Sequence, residues 1–218
     1  MTGPEDPAPS SSTPPPEPRP TNVHRPVHSG SRGSGTIPRA MLDDDCPFCD
    51  IAAAHRPYDP RHPPASVDVE LTSPTSFIVL STPSLVGFLD IMPLSPGHLL
   101  LCPRPHRPKL TDASAAEARE LGAYVRVLSA ALARATGVDD WNVVQNNGAA
   151  ASQVVPHVHY HLIPRPDIRA SGRFRESFTM FGKGRREELD EEEADKLASA
   201  IRREVAAVLE EDMDMPKL

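Results

Sequence analysis

The sequence predicts an α+β fold: a mainly antiparallel five-stranded sheet with a long helix packed on it and a second amphipathic helix near the C-terminal end. Three observations carry this reading. Five short apolar stretches are bounded by Pro, Gly and Asn, as strands are. One strongly periodic helical stretch with its own start and stop signals lies between the third and the fourth of them. No internal repeat suggests a solenoid or propeller, so one sheet with helices on it is the simplest way to bury the apolar faces.

Taken in order along the 218 residues, the chain opens with a Pro-, Ser-, Gly- and Arg-rich segment. Residues 1–42 contain "PSSSTPPPEPRP" and "SGSRGSG" and few large apolar side chains. Such a composition cannot bury enough surface to offset chain entropy, and it is read as a disordered tail. The ordered domain is expected over residues 43–168. Residues 76–81 (SFIVLS) and 86–91 (VGFLDI) read as strands joined by a short Pro-containing turn. Residues 97–103 (GHLLLCP) form a third, whose unbroken apolar run suggests burial on both faces. The long helix begins at a capping box, Ser114 with Glu117, which satisfies free first-turn amides. Leu121, Val125, Leu128 and Leu132 then recur on one face, and Gly137 stops it. Residues 140–146 (DWNVVQN) give a fourth strand, and "VVPHVHYHLIPRP" (154–166) contains the fifth. Residues 169–218 are a connector followed by the C-terminal helix, roughly 190–210, with Leu197, Ile201, Val205 and Val208 on a common side. Within that connector, residues 171–186 are basic and Gly-punctuated, as a link between elements is.

Composition excludes several roles. The net charge of −7 comes largely from acidic residues in and before the last helix, a solvated face rather than a recognition surface. No basic stripe with interleaved aromatics argues for nucleic acid. No run of about 20 apolar residues argues for a membrane span, and no apolar core of a secretory leader is present. A cytoplasmic or nuclear protein is the expectation. Three cysteines, an odd number without a leader, argue against a disulfide framework. Cys102 ends an apolar run and reads as a buried small hydrophobe. Cys46 and Cys49 form Cys-x-x-Cys, which is half of a tetrahedral zinc site or a redox pair.

The chemistry concentrates in residues 145–166. In a strand, side chains alternate faces, so His157, His159 and His161 point one way and Val158, Tyr160 and Leu162 the other. The apolar set suits a core and the histidines would line an open face. Same-face neighbours lie about 6.5–7 Å apart along a strand, too far for three imidazoles to share one ion without distortion, though well suited to spanning a phosphate. The preceding loop, "QNNGAAASQ", is small, polar and uncharged. It can offer backbone N–H groups and amides to an anion. A neutral imidazole is a nucleophile toward phosphorus, and its adduct yields to water, which splits one displacement into two. Neighbouring imidazoles and loop amides can hold the oxygens. Nucleotidyl or phosphoryl transfer without a catalytic metal follows.

These residues resemble the histidine triad (HIT) nucleotide hydrolases. "HVHYHLI" fits that family's His-φ-His-φ-His-φ-φ signature, where φ is apolar. The resemblance runs from "CPFCDI" through "FLDIMPLSPGHLLLCPRPH" to "QNNGAAASQVVPHVHYHLIPRP", and it implies the HIT-like form of the fold. It implies that His159 is the nucleophile on the α-phosphorus, that His161 contacts the phosphate or the leaving group, and that His98 lies close by. It implies Asp90 at the ribose hydroxyls, Phe88 and Ile91 beside the base, and Asn146, Gly148, Ser152 and Gln153 around the phosphate. It also implies a structural zinc on Cys46, Cys49, His106 and His157, and a homodimer. The substrate class implied is a purine nucleotide, an AMP conjugate.

Two positions depart from the family pattern. Ser152 stands where Gly is usual, so the backbone there must accept a Cβ. Val154 stands where many members carry a phosphate-contacting Ser or Thr. The leading expectation is an adenosine 5′-monophosphoramidase-like hydrolase. The alternatives are a dinucleoside polyphosphate (Ap3A or Ap4A) hydrolase and a nucleotide-binding regulatory module with little turnover.

Overall fold

The computed structural model describes residues 46–166, 170 and 189–214. The Pro-rich N-terminal segment and the basic connector at 171–186 lie outside the described residues. Helix α1 (Pro47–Ala54) is followed by strands β1 (Ile78–Ser81), β2 (Leu85–Leu89) and β3 (Leu99–Pro103). Then come α2 (Ala115–Thr136), β4 (Trp141–Gln145), β5 (Tyr160–Pro164) and a last helix, α3 (Glu191–Asp214). The strands form one five-stranded sheet in the order β1-β2-β3-β5-β4, and every pairing is antiparallel. Among the described residues no helix is long and apolar enough to cross a membrane.

Local signals explain the elements. Ser114 accepts from the Glu117 amide at 3.2 Å while Glu117 accepts from the Ser114 amide at 2.7 Å, so both halves of the capping box form. Gly137 ends α2 in the left-handed conformation, φ 68°, which a residue without a Cβ adopts without strain. The unbroken apolar run of β3 is buried along its whole length, because helices cover one face and the site face covers the other. Cys102 is wholly buried, as read from its run, and burial pushes its thiol pKa well up.

The sheet divides the buried side chains in two. On one face α2 and α3 cover Leu80, Leu85, Leu89, Leu99, Leu101, Val158 and Leu162 with Leu121, Leu128, Leu132, Ile201, Val205 and Val208. On the other, Phe48 and Ala52 of α1 pack with Cys46, Ile78, Val86, Phe88, Leu100 and Cys102. The strand period of two produces this: Leu85 and Leu89 face the helices, Val86 and Phe88 the other side.

Three sequence expectations change. Helix α1 was not foreseen; it starts with a Pro in its first turn, where the missing N–H costs nothing. The last helix extends to Asp214 rather than residue 210. The fifth strand begins only at Tyr160. In register Leu101 pairs with Tyr160, so the next positions would bring Pro103 opposite Val158, and Pro has no N–H to give. Instead the Val158 amide donates to the Arg107 carbonyl at 2.6 Å and the His157 amide to the Val155 carbonyl at 2.8 Å.

Candidate functional site

The site occupies the α1 face of the sheet, where the stretch leading into β5 brings its histidines under that helix. His157 is fully buried and His159 only 5% exposed, with His161 intermediate. The expectation that all three line an open face is therefore corrected. Phe48 lies edge-on to His159, ring centroids 5.1 Å apart, and covers it. The apolar partners behave as read: Val158 and Leu162 are wholly buried in the helix-side core and Tyr160 packs against it.

Each imidazole is oriented by a specific bond. His159 Nδ1–H donates to the His157 carbonyl at 2.6 Å. Its Nε2 therefore carries a free lone pair. His98 and His161 are wired the opposite way. The Leu94 amide donates to His98 Nδ1 at 3.2 Å, so the His98 proton sits on Nε2 and is donated to His161 Nδ1 at 3.0 Å. That leaves the His161 proton on Nε2. The triad strand thus presents a bare nitrogen at His159 and an N–H at His161, with ring centroids 4.7 Å apart. Desolvation by burial lowers the His159 pKa, opposed by the bond to the His157 carbonyl and the charge of Asp90. The ring is neutral near pH 7.

Asp90 closes the other side. One carboxylate oxygen accepts from the Met92 amide at 2.9 Å and the other lies 3.4 Å from His98 Nδ1. Gly97 makes the turn that delivers His98. Its φ is +85°, and a Cβ there would sit 3.1–3.3 Å from Thr136, Leu132 and Pro164 side chains. Phe88 is buried against Phe48, centroids 5.3 Å apart, while Ile91 is exposed at the end of the same turn.

The polar loop is a short 3₁₀ turn, Ala149–Ala151, between Gly148 and Ser152. Ser152 adopts φ 65°, the left-handed region, so its Cβ sits where Gly would be unstrained. Gln153 does not project freely. Its amide oxygen accepts from the Gly148 N–H at 2.5 Å, and its amide nitrogen donates to the Pro108 carbonyl at 2.7 Å and the His157 carbonyl at 3.4 Å. Asn146 is half-buried at the start of the loop. Val154 is 89% exposed and offers no hydroxyl.

Cys46, Cys49, His106 and His157 come together, with one ligand atom from each within 4.8 Å of all the others. The sulfur-to-Nδ1 distances are 3.4 Å for Cys46–His157, 3.6 Å for Cys49–His157 and 3.3 Å for Cys49–His106. A tetrahedral ion with S at about 2.3 Å and N at about 2.05 Å requires an S···N spacing of about 3.5 Å. The donor set fits. His157 Nε2–H donates to the Pro103 carbonyl at 2.8 Å, which turns the Nδ1 lone pair toward both sulfurs. Burial pushes the His157 pKa down to about 4, keeping the ring neutral as a ligand must be.

Sequence reasoning brought the four-ligand group and the His98, His159, His161 and Asp90 cluster to the right neighbourhood. It missed Phe48, whose only sequence signal was the Pro that starts its helix. It missed the backbone groups of Leu94, Pro103 and His157, which fix the tautomers. It also missed Arg104. That guanidinium binds the carbonyls of Thr82, Ala52 and His55 and the Ser81 hydroxyl, and so ties the C-terminal end of α1 to the sheet.

Comparison with known proteins agrees with this geometry. The HIT domain family model matches residues 72–168. Adenylylsulfatase HINT3 of Arabidopsis thaliana is 31% identical over 191 residues, which cover 86% of this chain and 83% of that protein. Adenosine 5′-monophosphoramidase HNT1 of Saccharomyces cerevisiae is 36% identical over 131 residues, 60% of this chain and 69% of that protein. Among solved structures, a histidine triad nucleotide-binding protein of Sulfolobus tokodaii strain 7 aligns with a TM-score of 0.58 at 26% identity, covering 79% of this chain and 100% of the other.

Proposed function

The chain belongs to the histidine triad family, and on that premise we propose that it hydrolyses AMP conjugates through a covalent nucleotidyl intermediate on His159. The observation that carries this reading is the bond from His159 Nδ1 to the buried His157 carbonyl, which assigns a bare Nε2 to His159 beside the His161–His98 pair. His159 Nε2 attacks the α-phosphorus and forms the P–N bond as the bond to the leaving group breaks. His161 Nε2–H donates a hydrogen bond to the leaving atom as it departs, and that atom takes its proton from solvent. Because His159 keeps its Nδ1 proton on the His157 carbonyl, the adduct is an imidazolium, a good leaving group. Water then attacks phosphorus, loses a proton to solvent and releases AMP and neutral His159. His98 lies behind His161 and holds its ring in place, with Asp90 beside His98.

The nucleotide end follows from the same face. Asp90 retains acceptor capacity for ribose hydroxyls. Phe88 and Ile91 flank the base, with Phe48 beside them, and Asn146, Gly148 and Ser152 surround the phosphate. Zinc on Cys46, Cys49, His106 and His157 would act structurally, cross-linking the start of α1 to the triad strand in a closed site. A homodimer is supported by β4. It is an edge strand of the sheet, and Trp141 and Val143 are exposed on it.

Relatives named for phosphoramidase and adenylylsulfatase activities share the AMP half and differ in the leaving group. The reading therefore commits to AMP and leaves an amine, a sulfate and a nucleoside polyphosphate as the candidates to assay. Rapid denaturation of enzyme mixed with labelled AMP-amine, adenylyl sulfate or Ap3A should trap AMP on the peptide carrying His159. Turnover with the adduct on another residue would refute the proposal. A binding module with little turnover is the second reading, favoured by the exposed Val154 in the hydroxyl position. Tight AMP binding without hydrolysis of any of the three conjugates would select it.

A further inference from the structure

Gln153 is only 7% exposed, and both ends of its side-chain amide are engaged by main-chain groups. Its oxygen holds the Gly148 N–H at the head of the polar loop, and the loop is closed a second time by the Gln153 N–H on the Gly148 carbonyl at 3.2 Å. Its nitrogen reaches the Pro108 carbonyl, in the segment that also supplies His106, and the His157 carbonyl. The His157 carbonyl is the same oxygen that takes the His159 Nδ1 proton at 2.6 Å. One buried amide therefore joins the loop, the 106–110 segment and the acceptor that sets the nucleophile's tautomer. A second bond ties the same two segments: Asn147 Oδ1 accepts from the Leu110 amide at 2.9 Å.

We infer that Gln153 is a positioning residue for His159, acting through the His157 carbonyl, and not a ligand of the phosphate. The inference rests on the reading of His159 as nucleophile. The physical reason is valence. A primary amide has two N–H donors, and here both have carbonyl partners, so none is left for a phosphate oxygen without breaking a buried bond. Holding the His157 carbonyl in place keeps His159 Nδ1 protonated and its Nε2 aimed. If the carbonyl tilts away, the proton can move to Nε2 and the nucleophilic lone pair is lost.

Gln153→Glu keeps the shape and the acceptor for Gly148 but removes both donors. Gln153→Met keeps approximate volume and removes all three bonds. The test compares both with the wild-type enzyme in three measurements: kcat and KM on an AMP conjugate, AMP affinity by calorimetry, and the ¹⁵N shifts of the His159 ring in the unliganded protein. Positioning predicts kcat lower by ~10- to 100-fold, as for small misplacements of a reacting group, AMP affinity unchanged within about threefold, and ¹⁵N shifts moving toward a mixed tautomer. A phosphate ligand would weaken AMP binding about tenfold or more, as loss of a charge-assisted bond does, and leave the ¹⁵N shifts of the free protein unmoved. That result in whichever variant folds overturns the inference. The ring shifts are read without turnover, so an inactive wild-type enzyme would count against the proposed reaction while leaving this test standing.

Discussion

The two faces of the sheet are built on different terms. The helix face is a field of apolar side chains, Leu80, Leu101, Leu128, Leu162, Ile201 and their neighbours, with no buried imidazole among the described residues there. Any one of them does the same work as the next. The α1 face has fewer apolar groups, and His157, His159 and His98 are buried beside them. Each of those rings has a named partner that fixes which nitrogen carries the proton: Pro103 O for His157, His157 O for His159, Leu94 N and His161 for His98. Burial of a polar group is costly unless it is satisfied, so this face can exist only with its bonds in place. The lesson is that stability is distributed on one face and chemistry is specified on the other.

Substitutions should separate the faces, and the first has the largest effect. His159→Asn should lower kcat at least ~1,000-fold, as loss of a nucleophile does, with little change in melting temperature. A measurable fraction of wild-type turnover in this variant would mean the site face does not divide its labour as described. Leu128→Ala, on the helix face, should do the reverse. It should cost about 2–5 kcal/mol of stability through cavity formation, read by denaturant midpoint, with kcat of the folded enzyme within about twofold. Cys49→Ser tests the seam between the two. It removes one of four candidate ligand atoms, so the zinc content of the purified variant should fall below the one ion per chain proposed for the wild type. Thermal stability should drop, and Arg104 should keep the other end of α1 attached, so that some activity survives. Equal metal content in variant and wild type would contradict the zinc assignment. The smallest effect is Ser152→Gly, which relieves a left-handed backbone at φ 65°. It should raise stability by about 1 kcal/mol, read by denaturant midpoint.

The same division explains what was legible in the sequence. Periodicity writes the helix face plainly. The Leu121, Leu128, Leu132 stripe, the Ser114–Glu117 cap and the Gly137 stop all appear where the pattern put them. The triad was equally plain as a motif, and the Cys-x-x-Cys pair did find His106 and His157. The orientation of those side chains was not legible, because their partners are backbone groups brought in by register. Pro103 ends the pairing of β5 and offers its carbonyl to His157, 54 positions away. The amide of Gln153 meets the carbonyl of Pro108, 45 positions away. Main-chain acceptors are the same at every residue, so no local pattern marks which one will be used. Helix α1 was hidden for another reason: its eight residues are too short for a clear amphipathic pattern, and its Cys pair drew a metal reading first.

The measurement that bears most directly on His159 as a covalent nucleophile is the stereochemical course at phosphorus. A P-chiral AMP conjugate, made with sulfur on the α-phosphorus and hydrolysed in isotopically labelled water, reports the number of displacements. Two in-line displacements, the first by His159 and the second by water, predict overall retention of configuration. Inversion would mean that water attacks directly, and that the bare Nε2 of His159 is not the atom that forms the bond.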